Sequence, residues 1–341
     1  MTDKEDIATL LGCSSNTQIS GGQNKIVDLK GKVSAAFLKE KMWNQNSILR
    51  VSFLSDGKTE GRKASWTPMI KLQALKNNEG VPVKLDPLEE EIRKLDPIEA
   101  VKKVIFERIQ PIIGLQFEFM EYKSDGTGLK GDIRVDFNKN HGCWALIGKD
   151  CLTADINKPT VNFGWLDVGV ICHEFGHVLG LIHEHMNVLG KTIDWDEEKV
   201  YEWAKTVQGW DQPTAKRNII DKYKQDQING TNFDRNSIML YFYDGKLTKD
   251  KKGTNPNEVL SIRDVIHMSK VYPGGKINPK EFYLKTYGVE ITDKDIEETY
   301  ASTKTNYVWI WVIVLIVILL IGLFVWINFI KKNVKTQPQS N

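Results

Sequence analysis

The sequence predicts an α+β fold in which a mixed sheet lies beside one chemically loaded helix, followed by a single C-terminal membrane span. Three observations predict it. Segments of two-residue and 3.6-residue hydrophobic period follow one another as strand, helix, strand, strand, helix. Residues 173–184, at the end of the last of these helices, read HEFGHVLGLIHE. Val308–Ile330 runs for 23 residues without a charge, long enough to cross a hydrocarbon core of about 30 Å as a helix.

Composition narrows the classes. The chain has 341 residues, 41% of them apolar and 26% charged, as in a globular protein. Its 46 Lys and Arg against 44 Asp and Glu leave a net charge of +2, which gives no reason to expect a nucleic-acid partner. Four cysteines are too few for a disulfide scaffold. Cys143 and Cys151 could close a short loop or stay free thiols, Cys13 is incidental, and Cys172 reads as a buried thiol. Residues 1–13 lack a basic start and a long apolar core, so no signal peptide is expected. Residue 2 is not glycine, so myristoylation is not expected either.

In chain order, residues 1–34 are polar and read as a flexible arm. A short helix is expected around 35–42, then a strand over 47–54, where apolar and polar residues alternate. The charged, Gly- and Pro-punctuated stretch 57–96 reads as a surface insertion. Pro97–Ile109 carries a helical apolar stripe, with Pro97 suited to its first turn. Leu115–Glu121 and Asp132–Phe137 alternate as strands. Residues 138–165 are loop-rich, with strand-like Thr160–Phe163. A helix then spans Asp167–Leu181, and another, started by an aspartate cap, spans Glu197–Thr206. Ser261 and Asp264 form a capping-box pair opening a last helix that ends near Tyr272. The folded domain is therefore placed at 35–275. A polar stalk follows at 276–306, then the span at 307–330, flanked by Tyr307, Trp309, Trp311 and Trp326, and a short polar tail at 331–341.

The chemistry concentrates in one stretch. On a helix, His173 and His177 stand one turn apart on the same face and can direct two imidazoles at one ion. Glu174, next to the first, can hold a water against that ion. Gly180 suits the left-handed backbone that ends a helix, and the resulting turn brings His183 in as a third ligand. Three protein ligands with an open position describe a catalytic zinc, not a structural one. A plain amphipathic core helix accounts for Phe175, Val178, Leu179 and Ile182. It does not account for three histidines and a glutamate on an otherwise apolar segment. His141, His185 and His267 have no ligand spacing and are read as surface residues.

With Ser237-Ile238-Met239-Leu240-Tyr241 downstream, these residues resemble the metzincin zinc endopeptidases, nearest the astacin-like branch. DIRVDF at 132–137, NFG at 162–164 and IDWD at 193–196 are weaker echoes, and the resemblance covers roughly residues 36–273. It implies a metzincin-like zincin fold, with a mixed twisted sheet, a zinc helix and a Met-turn. It further implies one zinc held by His173, His177 and His183, with Glu174 as general base and Tyr241 able to stabilise the oxyanion. Met239 would be the apolar floor under the metal. Glu184 matches the position that binds the mature N-terminus in that family. The chain departs from the family pattern at Leu181, where phenylalanine is usual, and at Met186-Asn187, where an arginine follows.

The expectation is a membrane-anchored zinc metalloendopeptidase acting on proteins or peptides, held in a lipid bilayer through 307–330. A catalytically silent binding protein on the same fold is the alternative. The missing signal peptide places the catalytic domain on the cytosolic side, or on a virion membrane if the source is viral. The lysines after the span point weakly the other way.

Overall fold

The computed structural model describes residues 36–300, apart from 78, 122–129 and 190–191, together with Ile316. The expected arm at 1–34 therefore lies outside the described residues, as do the expected tail and, save Ile316, the expected span. No described helix is long and apolar enough to cross a membrane. The chain separates into two units, 1–300 and 301–341; the architecture below is that of the first.

The strand runs β2 (Ile48–Phe53), β3 (Gln116–Phe119) and β4 (Ile133–Asp136) form where alternation predicts them. They pair in parallel with β2 in the middle. β6 (Val161–Asn162) adds in parallel to β4, and β5 (Trp144–Ala145) adds antiparallel to β6. The resulting order β3-β2-β4-β6-β5 is the expected mixed sheet. Leu49, Val51, Ile133 and Val135 are fully buried in it. A ladder of rings leads from the sheet to the motif helix: Phe53 to Phe137, Phe137 to Phe163 and Phe163 to Phe175, at centroid distances of 6.2, 6.2 and 6.5 Å. Offset aromatic packing of this kind fixes the distance between layers as well as burying area.

The helix expected at 97–109 forms as α3 (Pro97–Val104), with Asp96 accepting from the Glu99 N–H and Pro97 in the first turn. It continues as a π-helical turn over Ile105–Ile109. α4 (Val168–Leu179) carries the motif. α5 (Glu197–Val207) and α6 (Gln212–Ala215) pack around a second, smaller core that includes Trp195, Val200, Ala204 and Tyr243. Asp196 precedes α5 but makes no side-chain cap; its carboxylate pairs with Lys199 at 2.5 Å. α7 (Ile262–Val271) has the expected capping box between Ser261 and Asp264.

Three expectations are corrected. Residues 36–42 are not helical: β1 (Ala36–Leu38) pairs antiparallel with β7 (Ile228–Gly230) and ends in a short 3-10 turn. Phe37 is wholly buried, and the Leu38 N–H donates to the Gly180 carbonyl, so long-range pairing overrides local propensity. The stretch 57–96 is not a surface excursion. It carries α1 (Met69–Ala74) and α2 (Glu89–Ile92), with Leu72, Leu75, Leu88 and Ile92 buried. Residues 276–300 are not a stalk. They form α8 (Pro279–Tyr287), capped by Asn278 and ended by Gly288 at φ +67°, and α9 (Asp293–Tyr300). Phe282, Tyr283, Tyr287 and Ile291 join the main core, while most of the described charged residues of this stretch are exposed.

Cys143, Cys151 and Cys172 are buried and free, so the short loop is not closed by a disulfide. The Cys143 thiol donates to the Trp165 carbonyl.

Candidate metal centre

α4 is held at both ends. At its start, Asp167 accepts from the Val170 N–H at 2.7 Å, and the Glu89 carboxylate, from α2, accepts from the Val168 N–H at 2.8 Å. At its end Gly180 takes φ +102°, the left-handed turn its sequence position predicts. Three residues further on, that turn delivers His183.

The three histidines converge. Their ligand atoms all lie within 4.8 Å of one another. His173 Nδ1–H donates to the Ile238 carbonyl at 2.7 Å, and His177 Nδ1–H donates to the Leu181 carbonyl at 2.8 Å. A carbonyl can only accept, so these bonds leave the Nε2 lone pair of each ring for a metal. Burial lowers the pKa of His173 to about 4, and burial with the neighbouring His173 lowers that of His177 to about 3. His183 is likewise lowered, again chiefly by burial. The rings are therefore neutral at ordinary pH, as ligands must be.

The donor set fits zinc. His173 Nε2 is buried without a hydrogen-bond partner. His177 Nε2 and His183 Nε2 stand 3.0 Å apart. Two nitrogens bound tetrahedrally to one zinc at about 2.05 Å would be separated by roughly 3.3 Å. With His183 in the tautomer that turns its Nε2 lone pair inward, the two nitrogens would share a cation at that spacing.

The floor of the site is the 237–241 turn. Met239 is fully buried, and its sulfur packs against α4 at Gly176, 2.5 Å from where a β-carbon on that glycine would sit. The Tyr241 ring lies 5.1 Å from the His173 ring and 4.2 Å from the His183 ring, centroid to centroid. Glu174 is buried beside the cluster, on the same helix. Glu184 is fully buried. Its Oε1 accepts from the Asp234 N–H at 2.6 Å and from Asn187 Nδ2 at 2.9 Å, and its own N–H donates to the Met239 carbonyl. Burial, then the neighbouring Asp234, pushes its pKa well up. Within this chain, Glu184 fastens the segment after the third histidine to the turn beneath it.

Two histidines read as surface residues are in fact buried. His185 bonds through Nε2 to the Asn218 carbonyl at 2.9 Å, and its ring stacks 5.4 Å from that of His183. His267 bonds through Nε2 to the Asn229 carbonyl at 2.7 Å. His141 is exposed, as expected.

Sequence reasoning missed the carbonyls of Ile238 and Leu181, since backbone groups leave no residue signature. It also missed the second task of Asp264. Besides closing the capping box, its carboxylate accepts from the Ser237 hydroxyl at 2.7 Å and from the Ile238 N–H at 2.8 Å. It thereby holds, by its N–H, the residue whose carbonyl aims His173.

A helix bearing two histidines, a third delivered by the turn that ends it, and a buried methionine turn beneath them define a metzincin-type zinc peptidase, and comparison with known proteins narrows this further. Residues 116–266 match the model of the Astacin peptidase family. Over 107 residues the chain is 30% identical to the Astacin-like metalloprotease toxin 4 of Loxosceles laeta, covering 31% of this chain and 84% of the toxin. A solved structure of myroilysin superposes with a TM-score of 0.50 at 24% identity, covering 70% of this chain and 98% of that one. A second myroilysin structure gives a TM-score of 0.41 at 23% identity, covering 72% and 92%. The chain belongs to the astacin family, and it is a zinc metalloendopeptidase with one catalytic zinc.

Proposed function

We propose that this chain is a membrane-anchored zinc metalloendopeptidase in which His173, His177 and His183 hold the metal, Glu174 is the general base and Tyr241 stabilises the oxyanion. The observation that carries the assignment is the convergence of three neutral imidazoles whose Nδ1 atoms, for His173 and His177, are already committed to backbone carbonyls. Zinc in such a site lowers the pKa of a coordinated water toward about 7 and polarises a carbonyl.

The remaining work falls to the chain's own side chains. Glu174 follows His173 on α4, so its carboxylate lies at the edge of the ligand set and can take a proton from the attacking water and return it to the leaving amine. Burial among apolar neighbours keeps bulk water from competing for that proton. Tyr241 projects from the floor turn beside the rings of His173 and His183, where its hydroxyl can donate to the oxygen that gains charge. Proteins or peptides are the substrates.

The anchor rests on the uncharged run 308–330 and its aromatic flanks. We place the catalytic unit on the cytosolic side of that membrane. Protease protection on intact membranes tests the placement, and resistance to alkaline extraction tests the anchor.

The full chain, purified in detergent, should bind about one zinc and cleave a denatured protein. Cleavage should stop on chelation and return with zinc. Glu174→Gln should keep its zinc and lose about 10²–10⁴-fold in rate. Bound zinc with no cleavage of any peptide, or full activity in Glu174→Gln, would overturn the reading.

A further inference from the structure

Beside His173 and Tyr241 lies a cavity of about 50 Å³, walled on its other sides by Trp165, Gly169, Val170 and the segment Pro256–Glu258. Glu258 is only 7% exposed, and its carboxylate oxygen stands 2.6 Å from the position a β-carbon on Gly169 would take. Gly169 thus leaves the room in which this carboxylate sits. Among the described residues Glu258 has no hydrogen-bond donor and no cation as partner. Its charged neighbours are Asp167 and Glu89, both also buried, and they share its sign. Arg93, the cation beside Glu89, is engaged there: it pairs with Glu89 at 2.5 Å and donates to the Thr67 carbonyl.

An isolated buried carboxylate is costly, and burial together with Asp167 and Glu89 pushes its pKa well above the usual range. A cation entering the cavity would remove that cost. A cavity that admits several water-sized groups has room for an ammonium.

We infer that this cavity is a subsite for a basic side chain of the substrate, lysine above all, next to the scissile bond, with Glu258 as its specificity-determining residue. The inference rests on the peptidase reading above and adds the substrate class. A partner charge brought only by the correct substrate is an efficient source of discrimination, since any other side chain leaves the buried carboxylate unmatched.

The test uses the zinc-loaded full chain and a fluorogenic peptide whose single cleaved bond has been mapped by mass spectrometry. Lysine, arginine, norleucine and glutamate are placed in turn at each of the two positions flanking that bond. At one of them lysine should exceed its uncharged isostere norleucine by about tenfold or more in kcat/KM, and glutamate should be the poorest. In Glu258→Gln the lysine-to-norleucine ratio should fall to within a few-fold of one. The wild-type series alone can overturn the proposal: norleucine equal to or better than lysine at both positions sinks it, whatever becomes of the variant. A ratio unchanged in Glu258→Gln sinks it equally. Cleavage of the uncharged peptides in either case keeps the peptidase reading intact, so the two failures are separable.

Discussion

Replacing Asp264 tests whether the metal centre is aimed from a distance. This carboxylate accepts from the Ser237 hydroxyl at 2.7 Å, the Ile238 N–H at 2.8 Å and the Ser261 N–H at 3.0 Å, all in the buried interior. Asp264→Ala strands three donors. At about 1–3 kcal/mol for each unmet buried donor, and with partial relief by rearrangement, the loss should be about 4 kcal/mol. For a domain of this size that lowers the melting temperature by roughly 8–16 °C. Asp264→Asn is a different case. Its carbonyl oxygen can take both N–H bonds, and its amide can donate to the Ser237 hydroxyl, which rotates to accept. Burial and Asp234 push the Asp264 pKa up to about 6, so the group is still largely ionised near neutrality and the exchange removes a charge while keeping the hydrogen-bond geometry. That variant should lose about 1 kcal/mol.

The second readout concerns the site itself. Ile238, which Asp264 holds by its N–H, presents the carbonyl of the next peptide unit to His173 Nδ1–H. Freed of its anchor, it should orient His173 less well, and loss of an outer partner of this kind costs about 10–100-fold in metal affinity. Calorimetric unfolding with and without a chelator gives the stability change. Competition against a chromophoric chelator gives the zinc affinity. Asp264→Ala within 1 kcal/mol of wild type and with unchanged zinc affinity would refute the argument. So would an asparagine variant as damaged as the alanine one, because geometry would then not be the determinant.

Further consequences can be checked on the same protein. Gly176→Ala places a β-carbon 2.5 Å from the Met239 sulfur; overpacking should cost about 1–3 kcal/mol. Met239→Ala should cost less in that background than in wild type, with a coupling of about 0.5–3 kcal/mol in a double-mutant cycle. Strict additivity would mean that the turn does not pack where described. His267 is held neutral by burial, its pKa lowered to about 4. Between its unfolded value near 6.5 and that value, the unfolded chain binds the extra proton. Stability from this residue is therefore present above about pH 6.5 and is lost as pH falls toward 4, up to about 3 kcal/mol. His267→Gln, which can still donate to the Asn229 carbonyl, should flatten the stability–pH curve in that window. An unchanged slope by denaturant titration would rule this out.

What the sequence made legible was local. The spacing of His173, His177 and His183, the turn at Gly180, the cap at Asp96 and the box between Ser261 and Asp264 each depend on residues within one or two turns of one another. The alternation that placed β2, β3 and β4 is equally local. What escaped was long-range. Residues 57–96 and 276–300 are polar on average, and averages hide whether a few apolar side chains converge. Leu72, Leu75, Leu88 and Ile92 do so in the first stretch, Phe282, Tyr287 and Ile291 in the second. His185 and His267 were misplaced for a related reason: each ring bonds in the interior to a carbonyl more than thirty residues away, at Asn218 and Asn229.

The same limit explains how the site is built. The residues that would touch the metal sit in one short stretch, but the groups that orient them come from elsewhere. His173 is aimed by Ile238, Ile238 is held by Asp264, and the start of α4 is held by Glu89 from a segment that looked peripheral. A motif confined to 173–184 can therefore specify the ligands without specifying their geometry. Sequence changes in 57–96 or at the start of α7 should alter zinc affinity without touching a ligand, whereas changes on the outer faces of α8 and α9 should not.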